Sequence, residues 1–136
     1  MFIPAGFATV APYLVVVDAA AYIDFLVAAL DGVHVGSSIR PDGVVANGQV
    51  SFGESEHAAT IMVSEAQPGF PAGAAQIYLF VEDADAAMAK AVAHGATSIM
   101  EADDRPYGDR QGGIVDPWQT TWWISQRLTA DAYSFE

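Results

Sequence analysis

The sequence predicts an α+β fold built from two tandem βαβββ modules, and three observations lead there. The run from Ala11 and the run from Gln76 overlay without a gap, so that Asp18 falls on Asp83 at an offset of 83 − 18 = 65. Each run reads strand, acidic cap and helix, and each is followed by three β-rich stretches bounded by turn residues. A breaker-rich segment, Gln67-Pro68-Gly69-Phe70-Pro71-Ala72-Gly73, separates the copies. Similarity repeated at this scale means one supersecondary unit used twice, each copy covering the other's apolar surface.

The elements follow in order. Thr9–Val17 is apolar and β-branched, as a buried strand requires. Asp18 stands where an N-cap belongs, because its carboxylate accepts from the free N–H groups of the next turn. Tyr22, Phe25, Leu26, Ala29 and Leu30 then recur at helical spacing on one face, and Asp31-Gly32 ends the helix. Val33–Arg40, Val44–Phe52 and Ala58–Ser64 read as strands, the first two joined by the turn Pro41-Asp42-Gly43. In the second copy Gln76–Val81 is a strand. Glu82-Asp83-Ala84-Asp85 caps a helix whose apolar face is Ala87, Met88, Ala91 and Val92, with Gly95 as its left-handed stop. Thr97–Ala102, Gly112–Val115 and Thr121–Arg127 complete it, with Asp116-Pro117 turning into the last strand. The expectation is a single domain over 1–136, with modules at about 8–66 and about 75–128 and a tail at 129–136.

Composition narrows the function. Of 136 residues, 52% are hydrophobic and 16% charged, which is globular rather than disordered. Five Lys+Arg against 17 Asp+Glu give a net charge of −12, which disfavours nucleic acid and anionic membrane surfaces and favours cationic small molecules. Cysteine is absent, so disulfides, thiolate metal sites and Cys nucleophiles are excluded. The most apolar stretch, Val10–Leu30, carries Asp18 and Asp24, too polar for a spanning helix, and MFIPAGFATV lacks a cationic signal region. A cytoplasmic protein is expected. There is no Gly-x-Ser-x-Gly elbow or phosphate-cradling loop, and His34, His57 and His94 have no metal-binding spacing.

This order of elements resembles the vicinal oxygen chelate superfamily, the glyoxalase, bleomycin-resistance and dioxygenase relatives. "VEDADAAMAKAVAHGA", "PYGDRQGG" (Pro106–Gly113) and "DPWQTTWWI" (Asp116–Ile124) are similar to its small PhnB-like members. The resemblance implies a cupped mixed sheet whose concave face holds the ligand, and a homodimer. It also implies up to four His, Gln or Glu metal ligands on that face. Carried over one by one, those positions fall on Ala11, on Gln49 (with Asn47 on the same face), on Gln76 or Tyr78, and on Trp123. Neither Ala nor Trp ligates a metal, and none of the set is His or carboxylate, so no cofactor is expected. The chain also departs from its relatives at Gln119 and Thr120.

Strand alternation sets Tyr13, Asn47, Gln49, Gln76, Tyr78, Phe80 and Trp123 facing the ligand and turns Trp122 toward the helix. Tyr107 and Arg110 join them as candidates. Arg110 either clamps an anionic group or pairs with Asp109 or Asp116 to pin its loop, and Trp118 rims the cup or crosses a dimer interface. The C-terminal segment, with Tyr133 and Phe135, lies on a partner or over the cup. The expected function is metal-independent binding of an aromatic, cationic small molecule, of the bleomycin-resistance type. The alternative is a glyoxalase-like lyase, isomerase or dioxygenase-related enzyme. It would use divalent metal held by a nonstandard set such as Gln49, Glu56, His57 or Glu101, or acid/base catalysis without metal.

Overall fold

The computed structural model describes residues 2–135; Met1 and Glu136, the ends of the predicted domain, lie outside the described residues. The chain divides into two compact units, the first ending at Gly73 and the second beginning at Ala74. The first carries β1 (Tyr13–Val16), α1 (Ala19–Leu30), β2 (Val33–Ile39), β3 (Val45–Phe52) and β4 (Ala59–Glu65). The second carries β5 (Ala75–Phe80), α2 (Ala84–Ala93), β6 (Thr97–Asp104), β7 (Asp109–Val115) and β8 (Thr120–Arg127). Their sheets have the orders β1-β4-β3-β2 and β5-β8-β7-β6. In each, one edge of the sheet is a parallel pair (β1 with β4, β5 with β8) and the other two contacts are antiparallel ladders. The class is α+β with the module written twice, as the sequence predicts.

The helix of each unit packs on one face of its own sheet. Tyr22, Phe25, Leu26, Ala29 and Leu30 are all buried, joined by Ala19 and Ile23. Each large side chain so buried contributes about 1.5–3 kcal/mol. Asp18 takes a left-handed conformation (φ 66°) and accepts from the Ala21 amide at 3.2 Å. Glu65, at the end of β4, accepts from the Asp18 and Ala19 amides at 2.8 and 2.9 Å. Two orphan donors and the positive end of the helix are thereby satisfied by one carboxylate. In the second unit Asp83 accepts from Ala86 at 3.0 Å, and the amide oxygen of Gln126 takes the Ala84 N–H at 3.0 Å.

Three expectations are corrected, and the Asp116 turn gains a further role. Strand β1 begins at Tyr13, not Thr9, since Pro12 has no N–H for the ladder and only its carbonyl takes part, accepting from Met62 at 3.0 Å. Val92 is 45% exposed and Ala84 replaces it inside, because the short helix α2 buries only the narrow strip Ala84, Met88 and Ala91. Strand β7 begins at Asp109 rather than Gly112, and β6 runs on to Asp104, which leaves Tyr107 and Gly108 (φ 90°) as the hairpin tip. Asp116 is a buried anchor. It accepts from the amides of Trp118 (2.9 Å) and Thr120 (3.1 Å) and from the Trp122 indole (2.9 Å), so the turn and the core share one carboxylate.

Candidate functional site

In the second unit the sheet face away from α2 is open. A side chain at Gly112 would meet Met88 of the helix, and one at Gly113 would meet the Trp123 ring at 2.7 Å, which fixes the two sides of β7. Trp122, Ile114 and Ile124 lie on the helix side and are buried. Trp123 lies on the other, in register with Tyr78 on β5 and Gly113 on β7. The absent Cβ at 113 is what lets the indole lie across the neighbouring strand. Tyr78 and Phe80 flank it, 49% and 57% exposed, with ring centroids 5.7 Å apart and planes tilted by 41°. The Trp123 indole N–H donates to the Gln76 amide oxygen at 3.0 Å, which holds the ring in place.

A polar band adjoins these rings on the same face. The Tyr107 hydroxyl donates to the Gln111 amide oxygen, and the Gln111 amide nitrogen donates to Ser125 Oγ at 2.6 Å. Burial, and then the neighbouring Tyr78 hydroxyl, push the Tyr107 phenol above its ordinary value. Asp109 is fully buried and accepts from Arg127 Nη1 at 2.9 Å and from the Tyr133 hydroxyl at 2.5 Å. The Arg127 guanidinium also lies 4.1 Å above the Tyr133 ring, and it donates to the carbonyls of Tyr107 and Asp131. The C-terminal segment thus folds back onto its own unit through Tyr133, while Phe135 stays 94% exposed.

The open face of the first unit is built by the same register. Tyr13 pairs with Met62 and Met62 with Gln49, while Asn47 lies across from Ser38. Residues 2–9 run beside Gln49 and Met62 around a cavity of about 460 Å³, pinned where Thr60 Oγ1 donates to the Gly6 carbonyl at 2.7 Å. A second cavity, about 440 Å³, is lined by Tyr13, Val15, Arg40, Ala46, Ser64, Glu65, Gln67 and Phe70. A bulge in β3 between Val45 and Asn47 turns Val45 into the core and leaves Ala46 on this side.

The candidates therefore separate by unit. Gln76, Tyr78, Phe80, Tyr107 and Trp123 come together in the second; Tyr13, Asn47 and Gln49 share the open face of the first. Arg110 is elsewhere. It points to the helix side, where it pairs with Asp85 at 3.0 Å in the first turn of α2 and with Asp104 at 3.0 Å, not with Asp109 or Asp116. Those carboxylates hold its guanidinium above the ordinary range. Alternation from Gly112 dictates that side, a consequence invisible while β7 was read as starting later. The sequence reading misses Gln111 and Arg127, names Asp109 only as an alternative partner for Arg110, and places Tyr133 only in the tail. "GDRQGG" has no β-branched residue to signal a strand, and Tyr133 is far from Asp109 in sequence.

The positions that hold metal in the resembled superfamily do not fit a metal here. Ala11 offers no donor atom, Trp123 only an N–H, and the Gln76 oxygen is taken by that N–H. Among the described residues no three His, Asp or Glu side chains gather as a metal group, and Glu56 and His57 pair at 3.6 Å on an exposed turn.

Two βαβββ units, each with its helix on one face of its own sheet and the other face open, that of the second unit aromatic, define a class of protein. Residues 6–124 match the Glyoxalase/Bleomycin resistance protein/Dioxygenase superfamily, and the chain belongs to it. An uncharacterized protein of Mycobacterium tuberculosis is 32% identical over 126 residues, covering 85% of this chain and 72% of that one. TioX from Micromonospora sp. ML1 shares the fold with a TM-score of 0.71 and 18% identity, covering 89% of this chain and 99% of that one. So does TnmS3 from Streptomyces sp. CB03234, described as an antibiotic binding protein, with a TM-score of 0.63, 18% identity, and 88% and 97% coverage. No helix among the described residues is long and apolar enough to cross a membrane.

Proposed function

We propose that this protein binds a planar aromatic, cationic small molecule without chemistry, in the manner of the bleomycin-resistance branch, and that the Trp123 face of the second unit is where the ring stacks. The observation that carries the reading is the partly buried indole seated against Gly113 and in register with the exposed Tyr78. A rigid ring supplies stacking area at little entropic cost, and an offset aromatic pair adds about 0.5–1.5 kcal/mol beyond burial. The net charge of −12 raises the local concentration of cations, and indole is the best cation–π face. The fold shared with an antibiotic binding protein supports the same reading. The loop Tyr107-Gly108-Asp109-Arg110 supports a place in the PhnB-like subgroup, and a homodimer belongs to the proposal.

Calorimetric titration tests it. An acridine-type cation is expected to bind more tightly than a neutral tricycle of equal size, and added salt is expected to narrow the difference. Absence of binding across a panel of cationic and neutral planar rings, or equal binding to Trp123→Ala, overturns it.

A further inference from the structure

We infer, given the stacking on Trp123 proposed above, that the C-terminal segment 129–135 is a latch closed by Tyr133 on Asp109, and that a ring system laid along β8 from Trp123 must open it. Trp123, Ser125 and Arg127 follow one another on this face, each about 7 Å along the strand from the last. The face is not equally open along that line. Tyr78 is half-exposed beside Trp123, whereas Ser125, Gln111 and Asp109 are buried further along. Two tyrosines reach over this buried stretch. The Tyr107 hydroxyl at the hairpin tip donates to Gln111, and the Tyr133 hydroxyl of the tail donates to Asp109 at 2.5 Å. The Tyr78 hydroxyl acts on both. It raises the Tyr107 phenol second only to burial, and it adds a smaller part to the rise of Tyr133, which is due first to the bond with Asp109. The tail therefore reaches to the ring that flanks Trp123.

The latch can open without breaking the unit beneath it. Arg127 gathers its parts: Nη1 donates to Asp109 at 2.9 Å and to the Tyr107 carbonyl at 2.6 Å, and Nη2 donates to the Asp131 carbonyl at 2.9 Å. The same guanidinium lies 4.1 Å from the centre of the Tyr133 ring. Residues 128–135 are all exposed, so lifting them uncovers little apolar surface. When Tyr133 leaves, Asp109 keeps Arg127, so no buried charge is orphaned, and the phenol bonds to water instead. Three fused rings are longer than one step along the strand. Stacked on Trp123 and laid along β8, they overrun Ser125 toward Tyr133, whereas a single ring fits within the Trp123 row. The closed latch then subtracts from the affinity for the longer ring by the fraction of molecules in which it is open. By the same linkage, the longer ring opens the latch.

Fluorotyrosine at the five tyrosines, each resonance assigned by a Tyr→Phe replacement, tests this in the full-length protein. In urea without ligand, the Tyr133 resonance is expected to reach its unlatched position well before the Trp122 indole proton leaves its native one. Loss of both at the same urea concentration overturns the latch. Tyr133→Phe keeps the ring over Arg127 but not the bond, and it is expected to bind an acridine-type cation about tenfold more tightly, with Tyr133→Ala gaining at least as much. N-methylpyridinium, a one-ring cation, is expected to bind all three proteins equally. Equal or weaker acridine binding by Tyr133→Phe overturns the inference, as does a Tyr133 resonance that stays latched when acridine saturates the protein. Absence of acridine binding to all three proteins overturns the stacking reading and the displacement of the latch by a ring. The urea curve decides the latch in either case, so the two proposals fail separately.

Discussion

The two units keep one backbone plan but distribute bulk over their open faces in opposite ways. In the first, Tyr13 neighbours Met62, which neighbours Gln49; in the second, the equivalent row is Tyr78, Trp123, Gly113. Enlarging the middle residue to indole is matched by deleting the side chain beside it. The hydroxyls Tyr13 and Ser64 persist as Tyr78 and Ser125. On the helix side the correspondence is closer: Ile23 packs against Gly48 as Met88 packs against Gly112, and Glu65 and Gln126 each accept from a helix N-terminus. The buried side tolerates little change in volume, while the open side is where the copies have diverged. Divergence there is what the proposed function needs.

The largest effect expected from breaking this comparison lies in the cores. Trp122 is 1% exposed and its N–H is bonded to buried Asp116, whereas its counterpart Ile61 is 5% exposed. Trp122→Ala is expected to cost about 4–5 kcal/mol and Ile61→Ala about 3 kcal/mol in urea unfolding. The reverse order would show that the second unit is not anchored at Asp116.

Much of this was legible in the letters. The gapless overlay of Asp18 on Asp83 places both N-caps, and helix α1 announces itself by five apolar residues on one stripe, all of them buried. The faces of Trp122 and Trp123 follow from alternation once β8 is placed. Polar and glycine-rich strand segments were less legible. "DRQGG" becomes β7 because Gly112 and Gly113 admit Met88 and Trp123 so closely, a tertiary reason that no local propensity carries. Arg110 was ambiguous for the same reason: its side of the sheet depends on where the strand starts. The bond from Tyr133 to Asp109 is a long-range fact with no sequence signal.

The exchange of bulk predicts a smaller, coupled effect. Gly113→Ala puts a methyl 2.7 Å from the Trp123 ring and is expected to cost about 1–3 kcal/mol. In a Trp123→Met background, which restores the first unit's residue, the same change is expected to cost well under half as much. Equal costs in the two backgrounds would show that the glycine and the indole are independent.

The smallest effect concerns the C-terminal fold-back, which the first unit lacks. The hydrogen bond to Asp109 pushes the Tyr133 phenol up to about 12. A raised pKa in the folded state means the bond stabilises fully below the ordinary tyrosine value of about 10 and is lost as pH rises from there toward 12. Tyrosinate absorbance should show, besides the raised Tyr107, a tyrosine ionising at about 12 that disappears in Tyr133→Phe. An unchanged alkaline titration would leave the fold-back without that bond in solution.

The central claim is tested most directly by following two indole N–H resonances, Trp123 and Trp122, while an acridine-type cation is added. They sit on adjacent residues of β8 but on opposite sides of the sheet. Stacking on the open face predicts a saturable ring-current shift at Trp123 with Trp122, bonded to Asp116, almost still. If Trp123 stays still while the probe binds elsewhere, or if both move together as the unit rearranges, the open aromatic face is not the binding surface.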